Sequence, residues 1–342
     1  MRGAAYVGDG RIETITTEQV DPGPGEARIR VAYSGLCGTD LHIAHGNMGA
    51  RVTTPLVFGH EASGTIDAVG DGVGDWQVGD RVTVMPLLWD NTCAACLAGN
   101  QHICQNLTFV GIDSPGALQE CWTVPASTLV RLPDDMDLRD AALVEPTAVA
   151  VHDVRRSELQ VGDAVVVLGG GPIGVLIATV ARHAGARVVV VELDAARRDR
   201  VAALGFEAVA PNDIESTVAD LTGGNGADVV FEVSGAAAAV RQATALLKVR
   251  GTLVVVAIHS TPREVDLQRV FWRELRILGA RVYQRADFER AVELIATGVI
   301  PVDALVTSVV PLEQTGRAID ELASGQALKI LVDVASEQGS HA

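Results

Sequence analysis

Residues 164–174 read Ala164-Val165-Val166-Val167-Leu168-Gly169-Gly170-Gly171-Pro172-Ile173-Gly174. The first five are an unbroken, largely β-branched apolar run, which suits a strand buried on both faces. The next six match G-x-G-x-x-G, and a helical pattern continues from Ile173 to His183. Strand, glycine turn and helix in that order are the context in which this motif points to a dinucleotide. Gly169 permits the tight turn, Gly171 lets the backbone approach a pyrophosphate, and Gly174 lets the helix pack closely on the strand. Pro172 and Ile173 open a helix whose free N–H groups and positive dipole end face the diphosphate.

Working outward, the apolar run Arg187 to Val191 ends in Glu192. Its carboxylate is placed to accept hydrogen bonds from an adenosine ribose and would repel the extra phosphate of NADP, so NAD(H) is favoured over NADP(H). Arg197 and Arg198 follow on the next turn, within reach of a phosphate. Further runs at Asp228 to Val233, Gly251 to Ile258 and Leu275 to Val282 alternate with helical stretches such as Ala236 to Val249. The alternation predicts an α/β unit, a doubly wound parallel sheet covered on both faces. Ser234, Ala257 and Ile258 end such strands and are expected to flank the nicotinamide. The chain up to about residue 145 has a different texture. Short runs at Ala27 to Tyr33, Gly64 to Val69 and Arg81 to Met85 are separated by turn formers such as Asp21-Pro22-Gly23-Pro24-Gly25, which predicts a mostly β domain.

That first stretch holds two groups of metal-ligand residue types. Cys37 stands in Gly35-Leu36-Cys37-Gly38-Thr39-Asp40-Leu41-His42, and His60-Glu61 stand in Gly59-His60-Glu61-Ala62-Ser63-Gly64. Thiolate, imidazole and carboxylate suit zinc, and three protein ligands with one open position make a catalytic rather than a structural site. Local sequence does not bring these two segments together. The second group is Cys93-Ala94-Ala95-Cys96 with Cys104 close behind and Asp90 three residues ahead. Three cysteines and a fourth oxygen donor on one short lobe read as a structural zinc site.

The formal charge is −16, and Lys248 and Lys329 are the only lysines. Phosphate backbones and anionic lipid surfaces would repel such a chain, so neither nucleic acid nor membrane is an expected partner. No stretch of about 18 apolar residues occurs, and the start reads into a strand rather than a signal peptide. A cytoplasmic protein with reduced thiols is expected.

Together these segments, with Glu145-Pro146-Thr147-Ala148-Val149-Ala150, resemble the zinc-containing medium-chain alcohol dehydrogenases, and within them the sorbitol, (R,R)-2,3-butanediol and threonine dehydrogenase group. The resemblance implies a GroES-like catalytic domain over 1–147, a Rossmann NAD-binding domain over 148–285, and a C-terminal segment, 286–342, returning to the first. It implies homodimers or homotetramers. It also implies that Cys37 and His60 ligate the catalytic zinc, that either Glu61 or Glu145 completes the set, and that Thr39 and His42 relay the substrate proton. The small-molecule substrate implied is a secondary alcohol, vicinal diol or polyol. Threonine and sugar or cyclitol dehydrogenases are the rival readings, and a non-catalytic nucleotide-binding relative is a more distant one. Arg281-Val282-Tyr283 resembles the diol and sorbitol members. His45, Trp89, Phe109 and Trp272 are candidates to line the pocket.

Overall fold

The run Ala164–Leu168 is a strand with all five residues buried, as its uninterrupted apolar character requires. In the computed structural model, which describes residues 1–325 and 327–336, it sits inside a six-stranded parallel sheet. The strand order is Glu207–Val209, Arg187–Val191, Ala164–Leu168, Ala227–Glu232, Leu247–Val255, Arg276–Gly279. Helices Pro172–His183, Ala195–Ala203, Ile214–Thr222, Ala237–Leu246 and Leu267–Arg273 connect these strands. The order reverses direction beside Ala164–Leu168, and such a switch point leaves a crevice at the carboxyl ends of the strands. Val166, Leu168, Val189, Val230 and Leu253 form the core under one face, with Ile214, Val218, Ala243 and Leu246 from the helices.

This sheet belongs to a unit made of Pro146–Tyr283 and Val299–Pro301; the other unit is Met1–Glu145, Gln284–Gly298 and Val302–Ala342. The second unit is β-rich. Its seven-stranded sheet is organised on Glu26–Leu36, which pairs with Glu61–Val69, with Cys121–Pro125 and with Lys329–Asp333. The last of these brings a strand from the far end of the chain against Leu36. A three-stranded sheet of Arg11–Thr16, Arg2–Gly8 and Leu56–Val57 packs in the same unit. Phe58, Leu36, Ile66, Leu118 and Trp122 are buried in its core.

One local expectation needs correction. Leu247 to Val249 read as the end of a helix, but the helix stops at Leu246 and these residues are extended. Leu247 pairs with Ala227, and a partner twenty residues away leaves no trace in local periodicity. Pro146 disguises the helix Val144–Ser157 in the sequence; proline is tolerated in a first turn, where the N–H has no intrahelical partner. Among the described residues no helix is long and apolar enough to cross a membrane. The end of the expected C-terminal segment, 337–342, lies outside the described residues.

Candidate active site

The β-rich unit assembles its first cluster at the end of Glu26–Leu36. Cys37 leaves that strand as the N-cap of the helix Gly38–Ala44, its Sγ accepting the Thr39 N–H at 3.2 Å. Asp40, three residues on, closes a capping box by accepting the Cys37 N–H at 2.9 Å. The turn therefore fixes the thiol's direction before any ligand is considered. His60 and Glu61 come from the start of the neighbouring strand, whose register sets Glu61 opposite Gly35. A β-carbon at Gly35 would lie 2.1 Å from a Glu61 carboxylate oxygen, so only glycine leaves room for that side chain.

Cys37 Sγ and His60 Nε2 are 3.1 Å apart. The ligand atoms of Cys37, His60 and Glu61 all lie within 4.8 Å of one another. His60 and Glu61 are buried. On the far side of the imidazole, Nδ1 faces Asp40 Oδ1 at 3.7 Å, and the Phe109 ring meets it edge-on at 5.2 Å between centroids. A carboxylate behind a metal-ligand histidine fixes ring orientation and raises basicity. Burial pushes the Cys37 thiol up, and the nearby Asp40 charge adds to this. For His60, burial works downward but is outweighed by Cys37 and Asp40, so the imidazole is pushed up.

Glu61 is held by a cation. Lys329 Nζ donates to both carboxylate oxygens at 2.8 and 2.7 Å and to the Leu36 carbonyl at 2.9 Å. Burial alone would discharge this lysine, yet the Glu61 charge overrides it and pushes its pKa up. Glu145 is buried in the first turn of Val144–Ser157. Its charge acts on both His60 and Lys329, but it stands outside the converging trio. Thr39 is half-buried beside Cys37, and His42 is exposed on the last turn of the same helix. Sequence reasoning gave no role to Asp40 or Lys329. Asp40 was signalled by its capping-box spacing from Cys37. Lys329 was signalled by being a lysine inside an apolar run in a chain with only two.

The second cluster also forms. The ligand atoms of Asp90, Cys93, Cys96 and Cys104 lie within 4.8 Å of one another, and all the cysteines are free thiols. Cys93 Sγ accepts N–H groups of Cys96 and Gln105; Cys104 Sγ accepts those of Asp90 and Asn106. Asp90 accepts the N–H groups of Thr92 and Cys93 at 2.8 and 2.9 Å and the Asn106 amide at 2.6 Å. These donors, led by the Cys93 N–H, hold its carboxyl well below the usual range. Backbone N–H groups aimed at sulfur stabilise thiolates, and a three-sulfur, one-oxygen donor set fits tetrahedral zinc.

In the α/β unit the strand ends gather the cofactor candidates. Gly169 has φ +120° and Gly171 is the N-cap of the helix that Pro172 opens. A β-carbon at Gly174 would lie 1.9 Å from the Gly169 carbonyl oxygen, whereas one at Gly171 would meet nothing within 4 Å. The first glycine is thus required by packing, and the second borders open space where a phosphate can approach. Ile173 is half-buried in that first turn. Glu192 follows Arg187–Val191, its carboxylate accepting the Gly170 and Asp194 N–H groups at 2.9 Å each. Arg197 Nη1 is 3.6 Å from it, while Arg198 is turned onto the Glu192 and Leu193 carbonyls. Glu232, buried at the end of Ala227–Glu232, accepts from Ser234 N–H and Oγ–H and from Gly235 N–H. Ala257 and Ile258 follow Leu247–Val255, and Ile258 is 82% exposed. His45 and Trp272 are exposed and Trp89 half-buried.

Comparison with known proteins bears on both units. The alcohol dehydrogenase GroES-like domain model matches residues 23–134, and the zinc-binding dehydrogenase model matches 172–297. The chain is 48% identical over 341 residues to a 2-dehydro-3-deoxy-L-galactonate 5-dehydrogenase from Pseudoalteromonas atlantica, covering 99% of this chain and 100% of the relative. It is 32% identical to a sorbitol dehydrogenase from Halalkalibacterium halodurans, covering 95% and 96%. A crystal structure of a zinc-binding dehydrogenase from Sinorhizobium meliloti bound to NADP superposes with a TM-score of 0.90 at 31% identity, covering 97% and 98%.

Proposed function

The chain belongs to the zinc-containing medium-chain alcohol dehydrogenases, oxidoreductases acting on CH–OH groups, and from that premise we propose that it oxidises a secondary hydroxyl of a polyol or sugar acid to the ketone with NAD. The observation that carries this reading is the convergence of Cys37, His60 and Glu61 from two separated segments into one buried, zinc-compatible donor set. The sugar-acid dehydrogenase and the sorbitol dehydrogenase among the relatives support the substrate class.

In this reading Cys37 and His60 hold the catalytic metal, and Asp90, Cys93, Cys96 and Cys104 hold a structural one. Zinc bound at the first site supplies Lewis acidity, and the nicotinamide supplies the hydride acceptor. The protein does the rest by position. Asp40 sets a carboxylate 3.7 Å from the other ring nitrogen of His60, Nδ1, so that its charge lies behind the imidazole. Lys329 holds Glu61 by both oxygens and so restrains that carboxylate beside Cys37 and His60, where either it or Glu145 completes the metal's set. The Thr39 hydroxyl accepts the substrate proton as it gives up its own, and exposed His42, an imidazole able both to accept and to donate a proton, passes it to solvent. Gly169, Gly171, Pro172, Ile173 and Gly174 bind the pyrophosphate, and Ser234, Ala257 and Ile258 flank the nicotinamide.

NAD rather than NADP is supported by Glu192, whose carboxylate is fixed to the Gly170 and Asp194 N–H groups and would face the extra phosphate. The Sinorhizobium structure with NADP marks the other possibility, and Arg197 is the residue that would serve it. Glu192→Ala is expected to move the NAD to NADP ratio of kcat/KM toward NADP by about tenfold or more, the effect of removing one close like charge; an unchanged ratio would assign the ribose contact elsewhere.

Assembly into homodimers or homotetramers is supported by the strand Arg276–Gly279, an edge of the parallel sheet, and by Phe271 and Trp272, each 73% exposed beside it. An unpaired edge with exposed aromatic groups favours pairing with a second copy. Free thiols throughout support a reducing, cytoplasmic setting.

The function is tested by following reduced nicotinamide over sugar acids, sorbitol, xylitol, 2,3-butanediol isomers, inositols and threonine. Turnover on the acids or polyols is expected. Turnover confined to threonine would replace this reading with the amino-acid one.

A further inference from the structure

A sugar acid differs from a neutral polyol by a carboxylate, and a chain of formal charge −16 repels such a substrate unless a local cation receives it. The basic side chains of the β-rich unit are mostly committed elsewhere. Lys329 is buried against Glu61, Arg28 is bound by Asp67 and Asp21, and Arg2 by Glu120 and Glu313. Arg51 is different. It lies on the segment between Cys37 and His60, in the short turn Gly49–Arg51, with its side chain 48% exposed.

Arg51 is tied to the reacting centre by a short chain of contacts. Its Nε and Nη2 donate to the two Asp113 oxygens at 2.9 and 2.8 Å. Asp113 Oδ2 in turn accepts the Phe109 N–H at 2.8 Å, and the Phe109 ring rests edge-on against His60. The guanidinium is therefore anchored to the loop that carries the ring against a metal-ligand candidate. Two of its nitrogens face Asp113, which leaves the outer Nη1 with two N–H donors and no hydrogen bond among the described residues. Guanidinium is the side chain suited to carboxylate recognition, and pre-anchoring reduces the ordering entropy lost on binding.

We propose that Arg51, held by Asp113, is a carboxylate-binding subsite that selects acidic sugar substrates over neutral polyols. The inference rests on the dehydrogenase reading given above and names the substrate class of that same site. The carboxylate of an onic acid, at the far end of its carbon chain from the reacting hydroxyl, docks on Arg51 Nη1. Charge supplies the specificity, and the residues around Cys37 supply the chemistry.

The test compares wild type, Arg51→Gln and Arg51→Lys on 2-dehydro-3-deoxy-L-galactonate and on sorbitol. With wild type, the acid is expected to be the better substrate. Arg51→Gln is expected to raise KM for the acid by about 10- to 100-fold with a smaller change in kcat, the range for losing one charge-assisted hydrogen bond. The ratio of kcat/KM for acid over sorbitol falls accordingly, and Arg51→Lys restores part of it. A merely structural Arg51 would lower both substrates' kcat/KM together and leave the ratio fixed, which overturns the proposal while the dehydrogenase reading stands. Wild type that turns over sorbitol but not the acid would remove the acid reading itself, and the subsite with it.

Discussion

The two candidate metal clusters are built in opposite ways. The lobe takes Asp90, Cys93, Cys96 and Cys104 from one short segment, and neighbouring backbone N–H groups donate to the Cys93 and Cys104 sulfurs and to an Asp90 oxygen. The other cluster takes Cys37 from one strand end and His60-Glu61 from the next strand. It rests on Asp40 and on Lys329 from the far end of the chain. The lobe owes its geometry to local turns. The buried cluster owes its geometry to sheet register and to a buried ion pair, so it is as stable as the fold around it. A site that must keep an open position in low dielectric needs such outside support, whereas a closed four-ligand site does not.

Substitutions should separate the two. Cys37→Ala strikes the buried cluster at its centre, and turnover is expected to fall by at least about a thousandfold, since several kcal/mol of charge stabilisation depend on the metal it would hold. Quenching of protein fluorescence by NADH should persist in this variant; loss of both properties would mean the fold had failed instead.

Lys329→Met tests the support rather than the ligand. It leaves the Glu61 carboxylate buried without its partner, at a cost of about 3–5 kcal/mol in urea unfolding. Adding Glu61→Gln should recover part of this, and a simply additive double variant would show the pair to be uncoupled. The pair also fixes a pH dependence. The Lys329 pKa is raised above its ordinary value of 10.5. Its contribution is therefore complete below that value and is lost as pH rises through the higher folded value. The stability gap between wild type and Lys329→Met should narrow above about pH 10.5, where the lysine loses its charge; a gap unchanged as the pH is taken through that range would contradict the assignment.

The smallest effect is expected at the lobe. Asp90→Ala should release one zinc at lower chelator concentration and lower the thermal midpoint, with turnover at room temperature reduced far less than by Cys37→Ala. Asp90→Cys should retain that zinc more tightly, thiolate being the softer ligand. Equal retention in all three forms would take Asp90 out of the ligand set.

The same contrast explains what could be read from the sequence. The glycine turn is contiguous, so its strand, turn and helix were legible down to the packing role of Gly174. The convergence of the lobe's candidate ligands was legible because they are near neighbours in the chain. Cys37 and His60-Glu61 were visible as residue types, but nothing local joined them; the pairing of Gly35 with Glu61 does that. The partners of Lys329 and Arg51, and the seat of the Phe109 ring on His60, were unreadable for the same reason, since each of those contacts spans a long stretch of sequence.

The most direct test of the account is zinc content measured alongside turnover on the best acid or polyol substrate, before and after chelation. The account expects two zinc ions per chain, turnover that falls to background when both are removed, and recovery on adding zinc. Full turnover by zinc-free protein would contradict it.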